Sequence, residues 1–310
     1  KLLAATDSFI PSRSTIAAAR TTEIPEVAAV VAQALLKSDR AVGEAFYNHA
    51  WNRLENPVKR SVLLGVWIDF DYGLDTLKQY LFKDGPLGTA AADAYITGMK
   101  SRPGWKDKFA SYTERALDDS LLAQSVIFST AMIELDERIE ISEETLEKGL
   151  NAFSQPEYIE AYQAISKALN ELYGIEKPPL TIEHSSVDWD LVRSMTDNQI
   201  LTLYAKGRAY NITPVVEDAP ASVSNTVKLA QEGFYDGTYF HRIVPGFVSQ
   251  GGGPRGDGYG SDDRIIRSEF SPLKYGKGVV GLASAGKDTE SCQFFITHIP
   301  TTHLDGRYTI

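Results

Sequence analysis

Arg242 lies inside an apolar run, FHRIVPGFVSQGGG over residues 240–253, that ends in a glutamine and three glycines. A buried guanidinium is costly unless something pairs with it. Arg242 is therefore either a surface residue on an alternating strand or a donor held ready in an apolar cleft. Gln250, eight residues further on, is a second polar group that packing alone does not explain.

Other patterns carry less chemistry. GGGPRG at 251–256 satisfies GxGxxG, but DGYGSDD follows it instead of a helix, and no Walker lysine appears, so a dinucleotide or nucleotide-phosphate site is not expected. GLASAG at 281–286 has the wrong spacing for a nucleophile elbow, and Ser284 lacks His and Asp partners on a strand–turn–helix frame. The one cysteine, Cys292, sits between Ser291 and Gln293 in an apolar stretch. It reads as a small buried hydrophobe, excludes an intramolecular disulfide and leaves the redox compartment open. The five histidines show neither HExxH nor HxH spacing, so neither a metal site nor a cofactor is expected. The RGD at 255–257 is a three-letter match of the kind chance supplies.

The elements around these residues fall into two textures. From about residue 24 to 174, apolar residues recur at helical spacing, with helices expected near 23–39, 41–54, 58–70, 74–82, 87–99, 105–117, 121–133, 143–153 and 158–173. Four segments that open on a breaker or capping residue, NPVKRSVLLGVW, GPLGTAAADAYITG, DDSLLAQSVIFSTA and SQPEYIEAYQAISKAL, start roughly 30–37 residues apart, the size of a two-helix solenoid repeat. The pattern resembles a degenerate HEAT-type array, and a compact helical bundle is the alternative. Residues 176–198, with two prolines and a serine pair, read as a linker ending in a short helix. Beyond 198 come short strands and glycine turns with one embedded helix at about 221–231. A hairpin is expected in FYDGTYFHRIV, turning at Asp236–Gly237. Strands around a single helix point to a barrel more than to a parallel α/β sheet.

Taken in order, FYDGTYFHRIVPGFVSQGG, GDGYG, IRSEF, GLASAG, SCQFFITH and HLDGRYT resemble the cyclophilin family of peptidyl-prolyl isomerases over about 200–310. The resemblance implies an eight-stranded β-barrel capped by helices, with its cleft on the outside and C-terminally incomplete here, because the family continues past the position matched by Ile310. It further implies Arg242 as the catalytic arginine and Gln250 as the group that binds the peptide backbone and orients it. Phe247, Phe295 and Leu304 would form the pocket for the proline ring, with Val248 at its edge. Ala283 and Ser284 would pair with an extended substrate, and His303 and Tyr308 would form the rim, where many members carry tryptophan and histidine. Phe294 is expected on the opposite face of its strand, in the core. Thr226 departs from an apolar helix position, and Pro214 is expected to interrupt the second strand.

The expected organisation is thus a HEAT-like helical domain at 1–175, a linker at 176–198 and an isomerase domain at 199–310. Together they would make a folding catalyst with a platform for a client or partner, acting on proline-containing polypeptides. The rival reading is a non-catalytic subunit of a larger cell-envelope assembly that captures proline segments; in another, the helical half does the biological work. The formal charge of −10 over 310 residues argues against a general nucleic-acid surface, and no apolar run reaches membrane-spanning length. The opening KLLAATDSFIP is too short and polar for a complete signal peptide and lacks Met, so a processed or trimmed chain is expected. Bacterial proteins of this arrangement resemble envelope folding factors, which makes the periplasm or cell envelope the expected location and the cytoplasm the alternative.

Overall fold

In the N-terminal half the helix starts follow local capping chemistry. The computed structural model describes residues 9–100, 102–135, 139–195 and 199–310. Ser12 caps α1 (Arg13–Thr21) by accepting from the Thr15 N–H at 3.1 Å. Pro25 opens α2 (Pro25–Ser38), and Asp39 caps α3 (Arg40–Arg53). Asn56 accepts from the Val58 and Lys59 N–H groups at the head of α4 (Pro57–Leu64). These contacts satisfy amides that have no partner within the helix. Next come α5 (Gly73–Lys78), α6 (Pro86–Met99), α7 (Trp105–Asp118), α8 (Leu122–Glu134), α9 (Glu143–Ala152) and α10 (Ile159–Tyr173).

Most of these match the periodicity to within a residue or two. The helix expected at 58–70 instead changes to a 3-10 turn at Gly65–Asp69, and the one expected at 74–82 stops at Lys78. α1 was not anticipated.

The chain divides into two compact units: the described residues of 1–152 with 164–177, and those of 153–163 with 178–310. In the first, α2 packs on α3 and α4, α4 on α6, α6 on α8, and α7 on α8 and α9. Small residues let the backbones approach: a Cβ on Gly88 would fall 1.6 Å from the Lys83 carbonyl. Phe109 and Phe128, both fully buried, meet edge to face at 5.5 Å.

The second unit contains α11 (Trp189–Ser194), the hairpin β1 (Leu201–Ala205) and β2 (Arg208–Ile212), and α12 (Pro220–Gln231). The hairpin turns at Lys206–Gly207, both at positive φ (49° and 72°), as a two-residue turn matching strand twist requires. β2 ends two residues before Pro214, which has no N–H to give a ladder. A separate antiparallel sheet has the order β3 (Arg242–Val244), β4 (Val248–Gly251), β6 (Phe294–Thr297), β5 (Val280–Leu282). Among the described residues the strands form these two sheets and no closed barrel.

Two local expectations change. Residues 232–237 form consecutive turns, not the first strand of a hairpin. Gly233 and Gly237 take positive φ, and the backbone closes local turns, the Asp236 N–H on the Gly233 carbonyl and the Thr238 N–H on the Tyr235 carbonyl, both at 3.1 Å, so this segment winds down from α12 and no partner strand forms; the Tyr235 hydroxyl donates to the Cys292 carbonyl at 3.1 Å. The segment expected as a linker is hydrogen-bonded within the second unit: the Ser185 N–H donates to the Ile265 carbonyl at 2.8 Å, and His184 Nε2 lies 3.0 Å from the Asp288 carbonyl. Its last three residues, 196–198, lie outside the described ones, as do residues 1–8 of the opening segment KLLAATDSFIP.

Candidate functional site

Strand register brings the chemistry-bearing residues together. Arg242 pairs with Gln250, Gln250 with Phe295, and Phe295 with Gly281, so one row crosses all four strands of the sheet. Cross-strand partners share a face, and alternation adds Val248 to it. Phe294 points the other way, with ring contacts to Tyr235 at 5.8 Å and Phe240 at 6.0 Å.

Phe295 is only 5% exposed. It stacks on Tyr275 at 5.5 Å and meets the edge of Tyr308 at 5.7 Å. Val248, Tyr275, Phe295 and Leu304 form one buried cluster, and Phe247, Ala283 and Tyr308 pack against it. Phe247 stacks on His303 at 5.4 Å, and the Arg242 guanidinium lies 5.8 Å from the Phe247 ring centre. Arg242 is exposed, and among the described residues its guanidinium makes no ion pair or hydrogen bond. Its neighbour His241 is held below the ordinary imidazole pKa by burial, with Asp257 opposing and Arg242 reinforcing. A neutral ring beside the guanidinium adds no competing charge.

Ala283 and Ser284 are half-buried at the end of β5. The Ala283 N–H is already bound to the Gln293 carbonyl at 2.9 Å, which leaves its carbonyl and Ser284 as the polar groups for an extended ligand.

The sequence reading did not single out Gln293 or Tyr275. Gln293, 7% exposed, accepts from Gln250 Nε2 at 3.1 Å and donates from its own Nε2 to the carbonyls of Gly258 (3.1 Å) and Gly260 (2.9 Å). A lone amide in the apolar stretch SCQFFITH was the available signal. Tyr275, 1% exposed, supports Phe295 from below and donates to the Thr309 carbonyl at 2.8 Å.

Gly281 is set by this packing. A Cβ there would lie 2.3 Å from Tyr275 Oη and 2.7 Å from Phe295 Cζ. Because both rings are buried, Gly281→Ala should cost about 1–3 kcal/mol by overpacking. Chemical denaturation would show an unchanged midpoint if the rings can move aside.

Arg242 is a permanent fork of donors beside an aromatic and aliphatic wall, with an oriented amide next to it. Such a site can bind an apolar ring and donate hydrogen bonds to a neighbouring peptide group. Among the described residues no three His, Cys, Asp or Glu side chains are grouped to hold a metal ion.

Residues 211–310 match the family described as Cyclophilin type peptidyl-prolyl cis-trans isomerase/CLD. Over 96 residues the chain is 51% identical to peptidyl-prolyl cis-trans isomerase B of Bacillus subtilis, covering 30% of this chain and 67% of that protein. Over 92 residues it is 50% identical to a peptidyl-prolyl cis-trans isomerase of Synechococcus elongatus, covering 30% and 63%. A crystal structure of a cyclophilin type isomerase of Cryptosporidium parvum aligns with a TM-score of 0.30 at 36% identity, covering 31% of this chain and 64% of that one. The chain thus spans about two thirds of the length of the curated relatives it matches.

Proposed function

Because the chain belongs to the cyclophilin-type peptidyl-prolyl cis-trans isomerase family, we propose that it catalyses cis/trans isomerisation of peptide bonds before proline and so assists protein folding. The row Arg242–Gln250–Phe295 on one sheet face is the observation that carries this reading. Resonance gives the X–Pro bond its barrier of about 18–20 kcal/mol. When the bond twists, the resonance is lost and the prolyl nitrogen becomes able to accept a hydrogen bond. Arg242 donates to that nitrogen only in the twisted state, which lowers the barrier without tightening the ground state. The wall of Phe247, Val248, Phe295 and Leu304 receives the proline ring. Gln250 binds the peptide backbone and keeps the guanidinium oriented, while the Ala283–Ser284 edge takes the extended chain. No proton transfer or covalent intermediate is needed.

The test is exchange between cis and trans forms of a short proline peptide, measured by NMR with catalytic amounts of the protein. Accelerated exchange supports the reading. Binding of the peptide without acceleration would leave the alternative of a proline-segment binding subunit.

The helical half we read as a HEAT-like platform for a client or partner. The consecutive packing of α2, α4, α6 and α8 supports this, since stacked units present an extended surface.

The rim gives a further prediction. In the family, a tryptophan at the position of His303 supplies a ring donor and a broad wall to cyclosporin. The stacked imidazole supplies less of both, so His303→Trp should tighten cyclosporin binding about tenfold or more. Equal affinities in calorimetric titration would remove His303 from the inhibitor rim.

A further inference from the structure

The edge formed by Ala283 and Ser284 runs directly into a turn that a buried acid holds shut. Thr289 Oγ1 accepts from the Ala285 N–H and donates to the Gly286 carbonyl, both at 2.8 Å. The Thr289 N–H donates to Glu290 Oε2 at 3.1 Å, and the Ser268 hydroxyl donates to the same oxygen at 2.9 Å. Ser268 is itself tied to the turn twice: its N–H donates to Asp288 Oδ1 at 3.0 Å, and its Oγ accepts from the Asp288 N–H at 2.8 Å. Glu290 is 1% exposed, and its carbonyl accepts from the Ile266 N–H at 2.9 Å. Its second oxygen, Oε1, lies 3.4 Å from the hydroxyl of the fully buried Thr309, whose carbonyl accepts from the Leu282 N–H at 3.0 Å. A carboxyl is costly to bury without donors. Here the donors reach it from both sides of the edge: Thr289 belongs to the turn after Ser284, and Thr309 is bound to the last residue of β5 before Ala283.

We propose that Glu290 is a positioning residue of this site: it keeps the turn 285–289 closed, and so holds the Ala283 carbonyl and Ser284 in line to receive an extended peptide. It touches no reacting atom. Its effect on turnover rests on the isomerase reading, whereas its hold on the turn does not. The edge meets the chain of the substrate and not the twisting bond. Its contacts therefore count alike in the ground state and in the twisted state, and their loss appears in KM and not in kcat.

The experiment compares the intact protein with Glu290→Ala, Glu290→Gln and Ser268→Ala. Hydrogen exchange of the Ala285 and Thr289 amides is followed by NMR, and kcat and KM are taken from isomerisation rates at increasing concentrations of a blocked peptide extended on both sides of its Ala–Pro bond. In Glu290→Ala both amides should exchange about tenfold faster. KM should rise about threefold to tenfold with kcat nearly unchanged, the size of one or two lost hydrogen bonds. Glu290→Gln keeps an oxygen for both donors and should recover most of the protection and most of the affinity. Unaltered exchange at both amides in Glu290→Ala would overturn the proposal. So would a fall in kcat at constant KM, or equal losses in the alanine and glutamine variants, which are the signs of general loosening. If the unmodified protein does not accelerate isomerisation, the isomerase reading fails, and the two amides still decide whether Glu290 holds the turn. Should Glu290→Ala not fold, Ser268→Ala decides in its place: faster exchange at Thr289 with a raised KM upholds the proposal, and unaltered values overturn it.

Discussion

Arg242→Ala is expected to slow isomerisation of a proline peptide roughly a hundredfold, because a donor acting only in the twisted state supplies on the order of 3 kcal/mol. The loss should fall on kcat and kcat/KM alike, with KM little changed. Stability should be unaffected: the guanidinium is exposed and, among the described residues, holds no ion pair or hydrogen bond that the fold depends on. Arg242→Lys should recover only part of the rate, since an ammonium is more strongly hydrated and lacks the planar fork. An alanine variant with undiminished exchange rates would remove Arg242 from the mechanism.

Phe295→Ala should act on both stability and function. The ring is almost fully buried between Tyr275 and Tyr308, so its removal leaves a cavity beneath the sheet and should cost about 3–5 kcal/mol of unfolding free energy. It also takes away the central wall of the proline pocket, so KM should rise in the fraction that remains folded. The matched change Phe294→Ala, on the opposite face, should destabilise without the same effect on KM. Denaturant titration together with steady-state kinetics separates the two. Equal KM values for both variants would mean that the proline ring binds elsewhere.

What the sequence by itself determined was local. Helical spacing and capping residues placed most helices of the first unit, because caps and amphipathic faces act within a few residues of chain. The motifs around Arg242, Phe247, Gln250 and Phe295 likewise sit in short continuous stretches, and their parity along the strands separates Phe295 from Phe294.

The tertiary structure decided what depends on residues far apart in the chain. Gln293 acquires a role only because β4 and β6 pair and loop 255–260 folds over it; in the sequence it is one amide among apolar neighbours. Tyr275 and Gly281 matter through a contact between them that no local pattern encodes. The expected hairpin at Asp236 failed because a tight-turn dipeptide specifies only a bend: the backbone groups that pairing needs close local turns, Asp236 N–H to the Gly233 carbonyl and Thr238 N–H to the Tyr235 carbonyl, while the Tyr235 hydroxyl ties the segment to the Cys292 carbonyl 57 residues away. Only the folded chain brings such groups together, because burial and contact are properties of proximity in space and not of order along the chain.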